Sequence, residues 1–231
     1  MNYTTENPAD KKNSNLSLED IEDYSRRARN GQVEVTIPFC PACKTLSEYF
    51  KRHDARKRQL LVPVAQIIRT MCCFLVRWRC PGCNKRLPQY PDFMLPYKRY
   101  PRQAIMEHVA QYVENDQSSY RDILKGEWLG HREHDNDERQ LSHVSIWRWV
   151  ETIARYEKHI ASAQDMILQA DPASVISRHL AALTVPAKKY ATGVRKKLLR
   201  QCRRVLHGDA AYRNCFGFSF FPNLATAKGR L

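Results

Sequence analysis

Two Cys-x-x-Cys pairs, Cys40-Pro41-Ala42-Cys43 and Cys80-Pro81-Gly82-Cys83, constrain this chain more than any other feature. Each pair offers two thiolates from one tight turn, and two such turns brought together give the four tetrahedral sulfur ligands of a structural zinc site. Four sulfurs leave no open position for water. One Zn2+ is therefore expected to hold the fold rather than catalyse, and its removal to unfold the ribbon around it. Unrelated buried cysteines and a redox pair are the competing readings. The pairs are separated by 36 residues, an interval that a hairpin with strands near Leu60 to Thr70 and Met71 to Arg79 would occupy. Val33 to Ile37 reads as a further strand-like run.

The remaining cysteines and histidines are weaker signals. Cys72 and Cys73 are adjacent, so on a strand they point to opposite sides, and both are expected as buried thiols. Cys202, His207 and Cys215 have metal-like spacing but no fourth ligand. His131, His134 and His143 with Asp135 and Asp137 read as a solvated loop.

Charge narrows the partners. The 231 residues carry 38 Lys and Arg against 24 Asp and Glu, a formal surplus of +14 that attracts polyanions, with nucleic acid first among them. No apolar run approaches the roughly 18 to 20 residues that span a bilayer. The first thirty residues show no signal-peptide pattern, so a cytoplasmic protein without a membrane partner is expected. In a reducing compartment, eight cysteines favour metal ligation or buried thiols over disulfides.

The expected class is α+β, a small zinc-ribbon β domain followed by a mainly α helix-turn-helix domain. Residues 1–32 read as a mobile arm, 33–86 as the ribbon and 87–100 as a Pro-rich linker. The helix-turn-helix is placed at 101–158, a helical extension at 159–185 and a basic C-terminal tail at 186–231, with a folded third domain as the alternative for the tail. That last segment has eleven Lys and Arg against the single carboxylate of Asp209. Helices are expected at Pro101 to Val113, Ser118 to Lys125 and Ser142 to Ala154, then at Ile160 to Gln169 and Pro172 to Leu183. In the third helix Ile146, Trp149, Val150 and Ile153 form the buried face. Ser142 offers the N-cap, and Ser145, Arg148, Thr152 and Arg155 lie outside or on the flanks. Arg148 is the best base reader, since a guanidinium bridges two guanine acceptors. Ser119, Tyr120 and Arg121 are candidates for phosphates, as are Lys196 and Lys197 of the tail.

The two cysteine pairs, the Arg52-His53-Asp54 stretch and the run from Leu87-Pro88 through Pro91-Asp92-Phe93-Met94-Leu95-Pro96-Tyr97-Lys98-Arg99-Tyr100 resemble an uncharacterised zinc-ribbon family found with bacterial transposable elements. Ser142 to Val150, with Ser145-Ile146-Trp147-Arg148-Trp149, is similar to the helix-turn-helix of insertion-sequence transposases. The resemblance covers residues 35 to 155. It implies a protein that recognises element DNA, with the cysteines as ligands and the third helix as reader. Lys44 and Asn84 stand where glycine commonly follows each second cysteine, and Asp54 stands where a glycine often follows the histidine.

A carboxylate-triad transposase needs three acidic residues around two metal ions. Val205 to Asp209 would supply the first strand of such a core, yet no Asp or Glu follows Asp209. The expectation is a DNA-binding accessory factor or regulator and not an enzyme. Its partners would be double-stranded DNA, a transposase or other element-encoded protein, and a second copy in a homodimer. A truncated or degenerate transposase and a protein- or RNA-interaction module are the alternatives.

Overall fold

A long hairpin organises the first half of the molecule. In the computed structural model, which describes residues 16–64, 67–124, 141–185 and 191–221, β1 (Lys51–Val64) and β2 (Ile67–Arg79) pair antiparallel from Lys51↔Arg79 to Val64↔Ile67. The register is interrupted once, between Arg52 and Asp54. β3 (Arg86–Pro88) pairs with the other side of β2, giving the order β1-β2-β3. β1 thus starts at Lys51 and not near Leu60, and the expected first strand, Leu60 to Thr70, is divided between the end of β1 and the start of β2. The basic run Lys51–Arg58 concealed the strand. An edge strand tolerates such charges because they stay in water and discourage pairing with another chain.

Val33 to Ile37 joins no strand. The buried side chain of Gln89 does what a neighbouring strand would do: its Oε1 accepts from the Thr36 N–H at 3.0 Å and from Trp78 Nε1 at 2.8 Å. Its amide donates to the Glu34 carbonyl at 2.8 Å.

The segment expected as a mobile arm contains α1 (Leu18–Arg29), started by a reciprocal Ser17–Asp20 capping box. Ile21, Tyr24 and Ala28 fall on one face and are buried with Leu60, Val62, Cys73 and Leu75 of the hairpin. An apolar stripe with a sheet to cover it is a packed helix. Residues 1–15 of the expected arm lie outside the described residues.

The second half is helical. α2 (Arg102–Glu114), α3 (His143–Ala154), α4 (Ile160–Ala170), α5 (Ile176–Ala182) and α6 (Gly193–Phe216) surround one core that includes Ile105, Val109, Ile146, Trp149, Ile153 and Leu180. A 3-10 turn, Arg155–His159, leads from α3 directly into α4. The chain thus continues from α3 into α4 through the boundary expected at 158. Leu61 and Ile68 of the hairpin belong to the same helical core, and the Leu61 N–H donates to the Arg99 carbonyl at 2.6 Å. Residues 87–100 are likewise more than a spacer, since Gln89, Met94 and Leu95 are buried.

The basic C-terminal segment contains the longest helix among the described residues. α6 is 24 residues long, capped by Thr192 at its start and by left-handed Gly217 at its end, and it packs against α2, α3, α4 and α5. Leu199, Cys202, Val205 and Tyr212 form its buried stripe. The surplus of charge in this segment obscured a regular helical periodicity. Residues 186–190 and 222–231 lie outside the described residues. Val205 to Asp209 is helical, not a strand. Asp209, 1 % exposed, accepts from Ser219 Oγ at 2.5 Å and from the Phe220 N–H at 3.2 Å, and it faces Arg213 at 3.3 Å and Arg102 at 4.0 Å. Burial raises its pKa above the ordinary carboxylate value. Asp209, expected to close the first strand of a catalytic core, thus ties residues 219–220 to α2 and α6. Among the described residues, no helix is long and apolar enough to cross a membrane.

Candidate metal centre and basic surface

Cys40, Cys43, Cys80 and Cys83 converge, with all four sulfurs within 4.8 Å of one another. Cys40 and Cys83 approach to 3.5 Å, and Cys43 and Cys80 to 3.4 Å. A tetrahedron with metal–sulfur bonds of about 2.3 Å has edges of roughly 3.8 Å, so the cluster is close to the size needed. No other grouping of three or more ligating side chains is formed among the described residues. The four cysteines are positioned to coordinate a metal ion.

The two turns are built alike. In the first, Lys44 N–H donates to the Cys40 carbonyl at 2.9 Å and Cys40 N–H to the Thr45 carbonyl at 2.8 Å. In the second, Asn84 N–H donates to the Cys80 carbonyl at 2.9 Å and Cys80 N–H to the Lys85 carbonyl at 3.0 Å. Each turn requires a left-handed residue after its second cysteine, and Lys44 (φ 62°) and Asn84 (φ 61°) adopt it. This explains why glycine suits these positions and what its absence leaves intact. Asparagine tolerates the conformation well, and Lys44 gains a partner in the Phe39 ring, 4.8 Å from its ammonium.

Around the sulfurs, Thr45 is the main support. Its hydroxyl lies 3.1 Å from Cys43 Sγ, and together with the Thr45 backbone N–H it draws the Cys43 thiol down to about 6, favouring the thiolate that a metal binds. Gly82 makes room for this arrangement, because a Cβ there would meet Thr45 Oγ1 at 2.5 Å. Cysteine spacing alone indicated neither residue.

The other metal-like groupings do not assemble. Cys73 is buried and Cys72 exposed, so only one of the two expected buried thiols is buried. Cys202 is buried in the helical core and Cys215 is exposed, whereas His207 bonds Glu114 at 3.2 Å and His179 at 3.1 Å. His131, His134, Asp135 and Asp137 lie outside the described residues, and His143 opens α3.

The expected helix-turn-helix is altered in its middle. Of the helix expected over Ser118 to Lys125, the described part is one 3-10 turn, Asp122–Leu124, and Lys125 lies outside the described residues. Ser119 and Asp122 cap each other, so the Ser119 hydroxyl is engaged locally. Tyr120 stacks on Tyr112 at 4.0 Å and its hydroxyl accepts from Arg195, whose guanidinium also lies over the Trp147 ring at 5.3 Å. Tyr120, a candidate for phosphates, thus packs between α2 and α6. Arg121 is exposed. Residues 125–140, the long connection to α3, lie outside the described residues.

α3 itself is placed as expected. Ser142 caps it by accepting from the Val144 N–H at 3.2 Å, and Ile146, Trp149, Val150 and Ile153 are buried. Ser145 is half-buried, and Arg148 and Arg155 are exposed. The hydroxyl of Thr152, a flank residue expected to face DNA, donates to the Arg148 carbonyl at 2.8 Å on its own helix. Arg155 pairs with Glu151 at 2.6 Å. Lys98 stands close enough to Arg155 and Arg148 to feel both, and burial first and these two charges next lower its pKa. Lys98 was visible in the sequence only as part of the Tyr97-Lys98-Arg99 run. Lys196 and Lys197 are exposed in the first turn of α6, beside the place where Arg195 reaches the Trp147 carbonyl at 3.5 Å.

Residues 40–125 match a family described as a domain of unknown function (DUF6431), a match that takes in the metal cluster, the hairpin and α2. No curated protein and no solved structure matches the chain. The features define the class: a cysteine-cluster β region with a helical domain, similar over these residues to an uncharacterised family.

Proposed function

We propose that this chain is a sequence-specific DNA-binding protein of a mobile genetic element, an accessory factor or regulator that works without catalytic machinery. The observation that carries this reading is α3. It is capped by Ser142, anchored by five buried apolar residues, and leaves Arg148 and Arg155 exposed on a molecule with a surplus of +14. A rigid helix with an outward guanidinium suits reading of a guanine in the major groove. Lys196 and Lys197, exposed at the start of the neighbouring α6, suit phosphates, which fix register without reading sequence. In this reading the metal is one structural Zn2+, held by Cys40, Cys43, Cys80 and Cys83, and the bound ion supplies cross-links that stiffen the hairpin root. Assignment to a mobile element rests on the resemblance of the cysteine turns and the Ser142–Val150 segment. Duplex DNA is the proposed partner, with an element-encoded transposase or a second copy of the chain alongside it.

Selection of bound duplexes from a random pool at near-physiological salt, with zinc-loaded protein, tests the reading. A recovered motif supports a sequence reader. Binding that vanishes as salt rises and yields no motif overturns it and favours an RNA or protein partner.

A further inference from the structure

The hairpin carries almost as much uncompensated charge as the C-terminal segment. Between Lys51 and Pro88 there are ten Lys and Arg and one carboxylate, Asp54, which is paired with Arg77. Several of these cations are surplus to the fold. Arg56 and Lys57 are exposed on β1, the edge strand, opposite the apolar Leu75 and Phe74 of β2.

This charge is connected to the proposed reading helix. The distal part of β1 is tied to the 97–99 bend by the Leu61 N–H to Arg99 carbonyl bond. The bend projects outward: Tyr97 has a left-handed backbone (φ 62°) and is 73 % exposed, and Arg99 is exposed. Its next residue, Lys98, lies in electrostatic reach of Arg148 and Arg155 of α3. Arg148 and Arg155, Lys98 and Arg99, and the β1 edge that Arg56 and Lys57 flank from opposite faces thus belong to connected elements, with about 13 Å of strand between Leu61 and Lys57. The acidic group on α3, Glu151, is already neutralised by Arg155.

We propose that the zinc-ribbon hairpin is a second DNA-contacting element, laying β1 along phosphates that flank the site read by α3. The inference rests on the DNA-binding reading above. From Leu61 back to Lys51 the strand extends about 33 Å at roughly 3.3 Å per residue, close to one turn of duplex at about 34 Å.

The test is Arg56→Ala combined with Lys57→Ala in the full chain. Both side chains are exposed, so the fold and metal content should match the parent, and circular dichroism and zinc stoichiometry check this. Each lost phosphate contact lowers the slope of log K against log salt by about 0.9, so the double variant should lose about 1.8. Hydroxyl-radical protection should retract from one flank, while the motif recovered from a random pool stays the same. A parent that binds duplex with a motif, and a variant with unchanged slope and footprint, overturn this inference alone. A parent that binds no duplex overturns the DNA reading and this inference together.

Discussion

Gly82→Ala tests the account of the metal centre at a position that ligates nothing. The new Cβ would lie 2.5 Å from Thr45 Oγ1, 3.4 Å from Cys43 Sγ and 3.7 Å from Thr45 Cβ. Thr45 is short, its backbone is engaged in the first cysteine turn, and its hydroxyl sits 3.1 Å from Cys43 Sγ. Relief of the clash requires the hydroxyl to rotate away, so the substitution removes a hydrogen bond to a metal ligand. Losses of such supporting contacts typically reduce metal affinity about 10- to 100-fold. Competition with a chromophoric chelator measures this directly. Thr45→Ala should weaken zinc by a similar factor, and Gly82→Ala added to Thr45→Ala should cost little more, because the clashing atom is gone. Unchanged affinity in Gly82→Ala, or full additivity in the double variant, would refute the mechanism.

Three other predictions follow from single sites. Cys80→Ser, or chelation of the parent, should melt the ribbon and lower the helical signal of α1, which is packed on β2; retained folding without metal would contradict the structural role of the site. Asp209→Ala leaves the largely buried Arg102 without its carboxylate and should destabilise by about 3 kcal/mol in denaturant titration, whereas a relic residue would cost nothing measurable. Asp54 is held below its ordinary value of 3.8, first by its hydrogen bond from Arg77. A lowered carboxylate contributes stability above the unfolded pKa and loses it as pH falls through the folded one. Asp54→Asn should therefore be less stable than the parent at neutral pH and converge with it below pH 3.8, and a constant gap across that window would show the pair to be irrelevant.

The parts legible in the sequence are those set by local spacing. Two Cys-x-x-Cys turns announce a four-sulfur cluster because the ligands of each pair are fixed by one tight turn. α2, α3 and α4 lie close to where three-and-four apolar spacing puts them, since each has a clear stripe. What was missed depends on partners distant in the chain. α1 looked too polar to pack until β2 supplied a face for Ile21, Tyr24 and Ala28. Likewise, the cations of α6 hid the stripe of Leu199, Cys202, Val205 and Tyr212, and those of β1 hid a strand that is on the sheet edge. Around Ser119, the cap residues expected to start a helix close a 3-10 turn instead. For the proposed DNA surface, the α3 cations were visible as a helical face. Lys98 was not, because it is brought there by the fold of the 97–99 bend.

The most direct test of the central claim is a paired selection from one random duplex pool, with zinc-loaded parent and zinc-loaded Arg148→Ala protein run side by side. If α3 reads DNA, the parent yields a motif and the variant yields the same motif relaxed at one position, a loss of roughly 1 to 3 kcal/mol of discrimination there. An identical motif from both proteins would contradict α3 as the reader.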